Sequence, residues 1–252
     1  KVMKANIAVF GSMAIAIDQL PAMSLNMQAT IDDLKESFNE DLASEAGVSK
    51  KDWDKALAVF QKEVDALNKE GQDINDRYVE AVNSKSDVTS IQKEGKAYNK
   101  KVLDLFKYVQ DNFVGIVFSS DVVMKHVGYQ NNIEYMDEII QDLKKDKVND
   151  ALDVAYQLNG LCEYNYYLFS PNAAAKIDAH ADKAVENNKW WGNDKGYYFT
   201  NTKSATSSLL NKEDGDDVSV EIEVYESARK TQLDSYKEVL ENEILAMNKM
   251  GQ

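Results

Sequence analysis

The chain has 252 residues, 44% of them hydrophobic, enough for one large or two small cores, and it contains only 2 prolines and 11 glycines. All-β and doubly wound α/β architectures consume turn residues, so this composition points instead to helices joined by short connections. Acidic residues outnumber basic ones 43 to 29, a net charge of −14, and no basic run exceeds a pair such as Lys144-Lys145, which disfavours nucleic acid and anionic membrane surfaces as partners.

The start, Lys1-Val2-Met3-Lys4 followed by the small apolar stretch Ala5–Ile17, has the layout of a signal-peptide n- and h-region. With the missing initiator Met, it leans toward an extracytoplasmic or secreted bacterial protein. The competing reading makes residues 2–20 a buried or partner-facing helix. No apolar run reaches the ~18 residues that span a bilayer. A first helix is expected from Val2 to Ala46, kinked or split at Pro21. Its stripe is Met27, Ile31, Leu34, Phe38 and Leu42, and Gly47 supplies the left-handed residue at its end.

From Ser49, with Asp52 three residues on, a second helix carries Trp53, Leu57, Phe60, Val64, Leu67, Gly71, Ile74, Tyr78 and Val82 at heptad steps. After a polar turn at 83–87 the stripe resumes as Val88, Ile91, Gly95, Tyr98, Val102, Leu105, Val109 and Phe113. Read as an antiparallel hairpin, the two stripes align throughout. Tyr78 faces Val88, Leu67 faces Tyr98, and Gly71 lies opposite Gly95, as though the helices approached closely there. Each arm is about 50 Å long.

Residues 113–127 are strongly apolar and are expected to continue that helix into a packed corner. Gly128 and Asn131-Asn132 suggest a break before a short helix at 133–143. Another helix follows from Val148 to about Phe169, and Ser170-Pro171 starts the next. Asn187–Gly215 has little regular patterning. A last helix runs from Val218 to Met250 on Ile222, Tyr225, Tyr236, Leu240, Ile244 and Met247. The expected fold is therefore all-α. It is an elongated helical bundle built on the hairpin at about 49–126, one domain over 1–252, with an irregular aromatic-rich segment near 187–215 that would add a small cap.

Motifs of catalysis are missing from the sequence. His126 and His180 have no zinc-type partners at ligand spacing. Cys162, the single cysteine, sits in an apolar stretch with no histidine near it in sequence and cannot form an intrachain disulfide. The run Glu213-Asp214-Gly215-Asp216-Asp217 fails the EF-hand spacing and fits better as acids ahead of a helix N-terminus. Neither a metal nor another cofactor is expected, and the reading leans against an enzyme.

The unusual feature is aromatic. Ten of the chain's 24 aromatics lie between Tyr156 and Phe199, including the adjacent pairs Tyr166-Tyr167, Trp190-Trp191 and Tyr197-Tyr198. Neighbouring side chains on regular structure cannot share one core face. Such pairs either present a surface for a protein, peptide or glycan, or form a small aromatic core that fastens the loop to the bundle. The expected function is a non-enzymatic binding protein using these six residues. A membrane-active or pore-forming component using the apolar segments 5–17 and 113–127 is the alternative.

Overall fold

The computed structural model describes residues 20–116, 122–160, 176 and 202–251. Among them the fold is all-α, with eight helices and one two-stranded ribbon. In chain order these are α1 (Gln28–Glu36), α2 (Glu40–Glu45), α3 (Lys50–Asn83), α4 (Thr89–Phe113), β1 (Val114–Ile116), β2 (Val122–Met124), α5 (Lys125–Lys144), α6 (Val148–Gly160), α7 (Lys203–Leu209) and α8 (Ser219–Met250). They form two compact units. The first comprises Lys1–Glu36, Lys51–Asn112 and Ile244–Gln252, and the second Ser37–Lys50 and Phe113–Glu243.

In the first unit α3 and α4 run antiparallel, linked across their exposed flanks by Arg77–Glu94 and Lys101–Glu70 ion pairs of 2.6 and 2.7 Å. The turn between them has a physical cause. Lys85 adopts φ +56°, and its N–H and that of Ser86 return to the carbonyls of Val82 and Ala81, closing the end of α3. Asp87 then caps α4 by accepting from the N–H and the hydroxyl of Thr89, bonds that hold its carboxyl below the usual range. Trp53, Phe60, Val64, Ile74, Tyr98, Val102 and Val109 are buried as the stripe requires, whereas Val82 at its end is 50% exposed.

The two seam glycines do not serve a close approach of the helices. A Cβ on Gly71 would meet the Tyr98 hydroxyl at 2.4 Å, so the Tyr98 ring, expected over Leu67, fills that notch about one turn away. A Cβ on Gly95 would meet the carbonyl oxygen of Pro21 at 2.5 Å, so Gly95 admits backbone from another segment. That segment is not helical, and it bends at Pro21 and Ala22. Ala22 N–H donates to Asn75 Oδ1 and its carbonyl accepts from Asn75 Nδ2, both at 3.0 Å. Met23 N–H donates to Asn99 Oδ1 at 2.8 Å, and Asn99 Nδ2 donates to the Pro21 carbonyl at 3.0 Å. Such neutral bonds contribute about 1 kcal/mol each net.

The second unit packs α5, α6, α7 and the 219–243 part of α8 around Met136, Ile139, Leu143, Val148, Ala151, Leu158, Leu209 and Tyr225. Its ribbon pairs Val114 with Met124, Gly115 with Val123 and Ile116 with Val122. Gly47 takes φ +80° at the end of α2, as its place in the sequence implied. The acidic run also works at helix ends. Asp217 Oδ1 accepts from Ser219 N–H at 3.0 Å to cap α8, and Asp214 Oδ1 accepts from Val148 N–H at 2.9 Å to cap α6.

Four expectations are corrected. The helix expected to reach Ala46 is a non-helical segment followed by two short helices; Pro21 bars the first turns, and Asn39 starts α2 anew by accepting from Leu42 N–H. The helix hairpin ends at Phe113, not 126, because 114–116 and 122–124 pair as the β-ribbon, which suits their β-branched residues. Gly128 and Asn131-Asn132 do not break α5; Gln130 and Asn132 turn inward and bond Ser37 and Gln232, and the second bond offsets the poor helix propensity of Asn132. Residues 203–209 of the segment expected to be irregular form α7. The expected elements over 2–19, 161–169, 170–185 and 187–201 lie, apart from residue 176, outside the described residues.

Candidate functional site

The six residues nominated from sequence (Tyr166, Tyr167, Trp190, Trp191, Tyr197 and Tyr198) lie outside the described residues, as do Cys162 and His180. The structure does describe what holds the ends of that segment. α6 precedes it and α7 follows it, and the two helices pack against each other. Ala151, Val154, Ala155 and Leu158 of α6 and Ala205 and Leu209 of α7 share one buried cluster. Tyr225 of α8 adds a 2.9 Å hydrogen bond to the Thr206 hydroxyl beneath α7, and burial pushes its phenol up to about 12. Glu221 receives Ser208 Oγ at 2.5 Å and Lys212 Nζ at 3.0 Å. Burial opposes its charge, but these two donors outweigh burial and keep the carboxyl below its usual range.

A second polar constellation lies wholly inside the second unit and was not foreseen. Ser37 Oγ is 2.9 Å from His126 Nε2, and His126 Nδ1 is 2.8 Å from Glu243 Oε2. Gln130 Nε2 donates to the Ser37 carbonyl at 2.7 Å, which fixes the backbone of the serine. Farther along the same face of α8, Asn132 Nδ2 donates to Gln232 Oε1 at 3.1 Å. Arg229 forks between Glu45, at 2.6 and 3.0 Å, and Asp137. The guanidinium holds the Glu45 carboxyl below its ordinary value, so this link contributes stability above that value and loses it as pH falls through the lowered one.

Hydroxyl, imidazole and carboxylate in this order resemble a nucleophilic relay. A relay acts only where its base can reach a substrate. Here the imidazole is 0% and the Glu243 side chain 1% exposed. Both ring nitrogens are occupied, and the chain of bonds ties the entry of α2 to α5 and α8. Its chemistry is that of a buried polar lock. No family profile, curated protein or solved structure matches this chain.

The lock did have a signal in the sequence. Tyr225, Arg229, Gln232, Tyr236, Leu240, Glu243 and Met247 follow one another at three- and four-residue steps. Apolar periodicity picks out only Tyr225, Tyr236, Leu240 and Met247 of that stripe and is silent on its polar members. Among the described residues no group of three or more His, Cys, Asp or Glu is placed to hold a metal ion.

Proposed function

We propose that this chain is a non-enzymatic binding protein whose second unit presents the segment carrying Tyr166, Tyr167, Trp190, Trp191, Tyr197 and Tyr198 to a protein, peptide or glycan. One observation carries the reading: the helices that bracket the segment, α6 and α7, are packed against each other in a common core. The chain thus leaves and re-enters one fixed place, and aromatic rings supply large contact area at low entropic cost. The test is binding of the full chain to glycan and peptide arrays beside Trp190→Ala/Trp191→Ala. At least about a tenfold loss is expected, the scale of a truncated aromatic anchor, with unchanged helical circular dichroism. Equal binding by a folded double variant would sink the reading.

A membrane-active role is favoured by a different observation. The apolar stretch 113–127 contains a β-ribbon whose strands, VGI and VVM, are apolar at every position, the pattern of strands covered on both faces. No helix among the described residues is long and apolar enough to cross a membrane, and among those residues the ribbon is the candidate for such a role. Dye release from phosphatidylcholine vesicles, abolished by Val123→Asp, is the expected result. An absence of release between about pH 5 and 8, where acid-triggered insertion would titrate, eliminates this reading.

A further inference from the structure

The non-helical segment at 20–27, which bends at Pro21 and Ala22, is held on α3 and α4 through its backbone in the manner of a bound peptide. Asn75 pairs with both the N–H and the C=O of Ala22, while Asn99 takes the N–H of Met23 and the C=O of Pro21. Asn68, one heptad before Asn75 on α3, reaches the Asn26 side chain at 3.2 Å. A primary amide offers a donor and an acceptor side by side, so it reads an extended backbone as a neighbouring β-strand would, without regard to side-chain identity. Ala22 is enclosed at 1% exposure against Ile74, Tyr98 and Val102, and Met27 at the end of the segment is buried too. Pro21 rests where Gly95 leaves no side chain in the way. Met23 and Leu25 are half-buried and Ser24 is exposed.

α3 and α4 are also linked without this segment. Arg77–Glu94, Lys101–Glu70 and the Tyr98 ring over Gly71 join α3 to α4 directly. We infer that the α3–α4 face around Asn75, Gly95 and Asn99 is a peptide-recognition groove occupied in cis by residues 20–27. When that segment leaves, the groove takes a non-helical segment of a partner polypeptide carrying a proline followed by a small apolar residue. The site lies in the first unit and shares no residue with the aromatic segment, so it stands whether or not the proposed function holds.

The probe is a fluorescent synthetic peptide with the sequence of residues 20–27, measured by anisotropy against full-length chains. Ala22→Glu dislodges the tethered segment and leaves the groove intact, so this variant should bind the peptide saturably. Wild type should bind more weakly, because its own segment competes at high effective concentration. Adding Asn75→Ala/Asn99→Ala, or Gly95→Ala, to Ala22→Glu should weaken binding at least about tenfold, since four hydrogen bonds or the floor of the groove are lost. No binding by a folded Ala22→Glu chain, or binding indifferent to the asparagines, overturns the inference. A wild-type dimer abolished by Ala22→Glu overturns the partner assignment in favour of a second copy of this chain. Should Ala22→Glu fail to fold, hydrogen exchange on wild type decides. The Ala22 and Met23 amides must exchange well before the interiors of α3 and α4, and exchange only with global unfolding refutes detachment.

Discussion

Above about pH 10 the second unit will lose stability at about 1.4 kcal/mol per pH unit for each tyrosine that stays protonated only when folded. Tyr225 and Tyr236 meet that condition. Tyr225 is wholly buried and its phenol is pushed from 10.0 up to about 12 by desolvation, despite the Thr206 bond that acts the other way. Tyr236 is equally buried, and desolvation together with the charges of Glu243 and Glu134 pushes it higher still. In this window the unfolded chain has released protons that the folded chain retains, so the slope of stability against pH is negative. By pH 12 the loss from Tyr225 alone is about 2–3 kcal/mol, and Tyr236 adds a comparable amount. Urea midpoints taken at pH steps between about 8 and 12 measure it. Tyr236→Phe should flatten the slope with little change at neutral pH, because no described protein group hydrogen-bonds its hydroxyl. Tyr225→Phe flattens it too, at a cost of about 1 kcal/mol for the lost Thr206 bond. A slope that survives in the double phenylalanine variant would assign the alkaline loss to other groups, such as Tyr98 and Tyr108, whose phenols burial also raises, or lysine ion pairs.

Both tyrosines lie on the one helix whose pattern the sequence shows only in part, and the reason is general. Periodicity identifies a buried face through the hydrophobic effect, which is proportional to apolar area and blind to direction. It therefore found α3 and α4, whose seam is apolar from Trp53 to Val109. It also found the end of α2 at Gly47, because a left-handed backbone selects glycine locally. It misassigned Gly71 and Gly95. A glycine reports that something comes close, and whether that is a helix, a tyrosine ring or a third segment depends on contacts remote in sequence. It also missed His126, Asn132, Gln232 and Glu243, since a polar residue is buried only where a partner awaits it. His126 and Glu243 are 117 positions apart, and no local pattern announces that pairing.

The placement of polar groups limits what the two units can do. In the first, polar groups on α3 and α4 point at a segment that is non-helical and bonded mainly through its backbone, an arrangement that can be vacated and refilled. In the second, the polar groups are paired helix to helix with their side chains enclosed, which fixes geometry. A rigid second unit suits the presentation of whatever α6 and α7 bracket. A first unit with a backbone-reading face suits exchange of one such segment for another.

How far the second unit depends on its polar lock is measurable as a coupling energy. His126→Leu should destabilise the protein by about 3–5 kcal/mol, the scale of removing one partner from a buried pair. It strips Glu243 of the imidazole in a site where the carboxylate is 1% exposed and its other oxygen already lacks a described protein partner. Glu243→Met should cost a similar amount, because Nδ1 of a wholly buried ring loses its acceptor. The double variant His126→Leu/Glu243→Met should be far less damaged than the sum of the two. With both polar groups replaced by apolar ones of similar size, neither desolvation penalty remains. A coupling of about 2–3 kcal/mol is expected within the range seen for residues of one network. Simple additivity in urea denaturation would mean that the ring and the carboxylate act independently, and that their 2.8 Å approach contributes nothing to holding α5 against α8. If the coupling is found, the double variant should also retain the binding assigned to the aromatic segment, because the lock then acts through geometry alone, which an apolar core of equal volume can preserve.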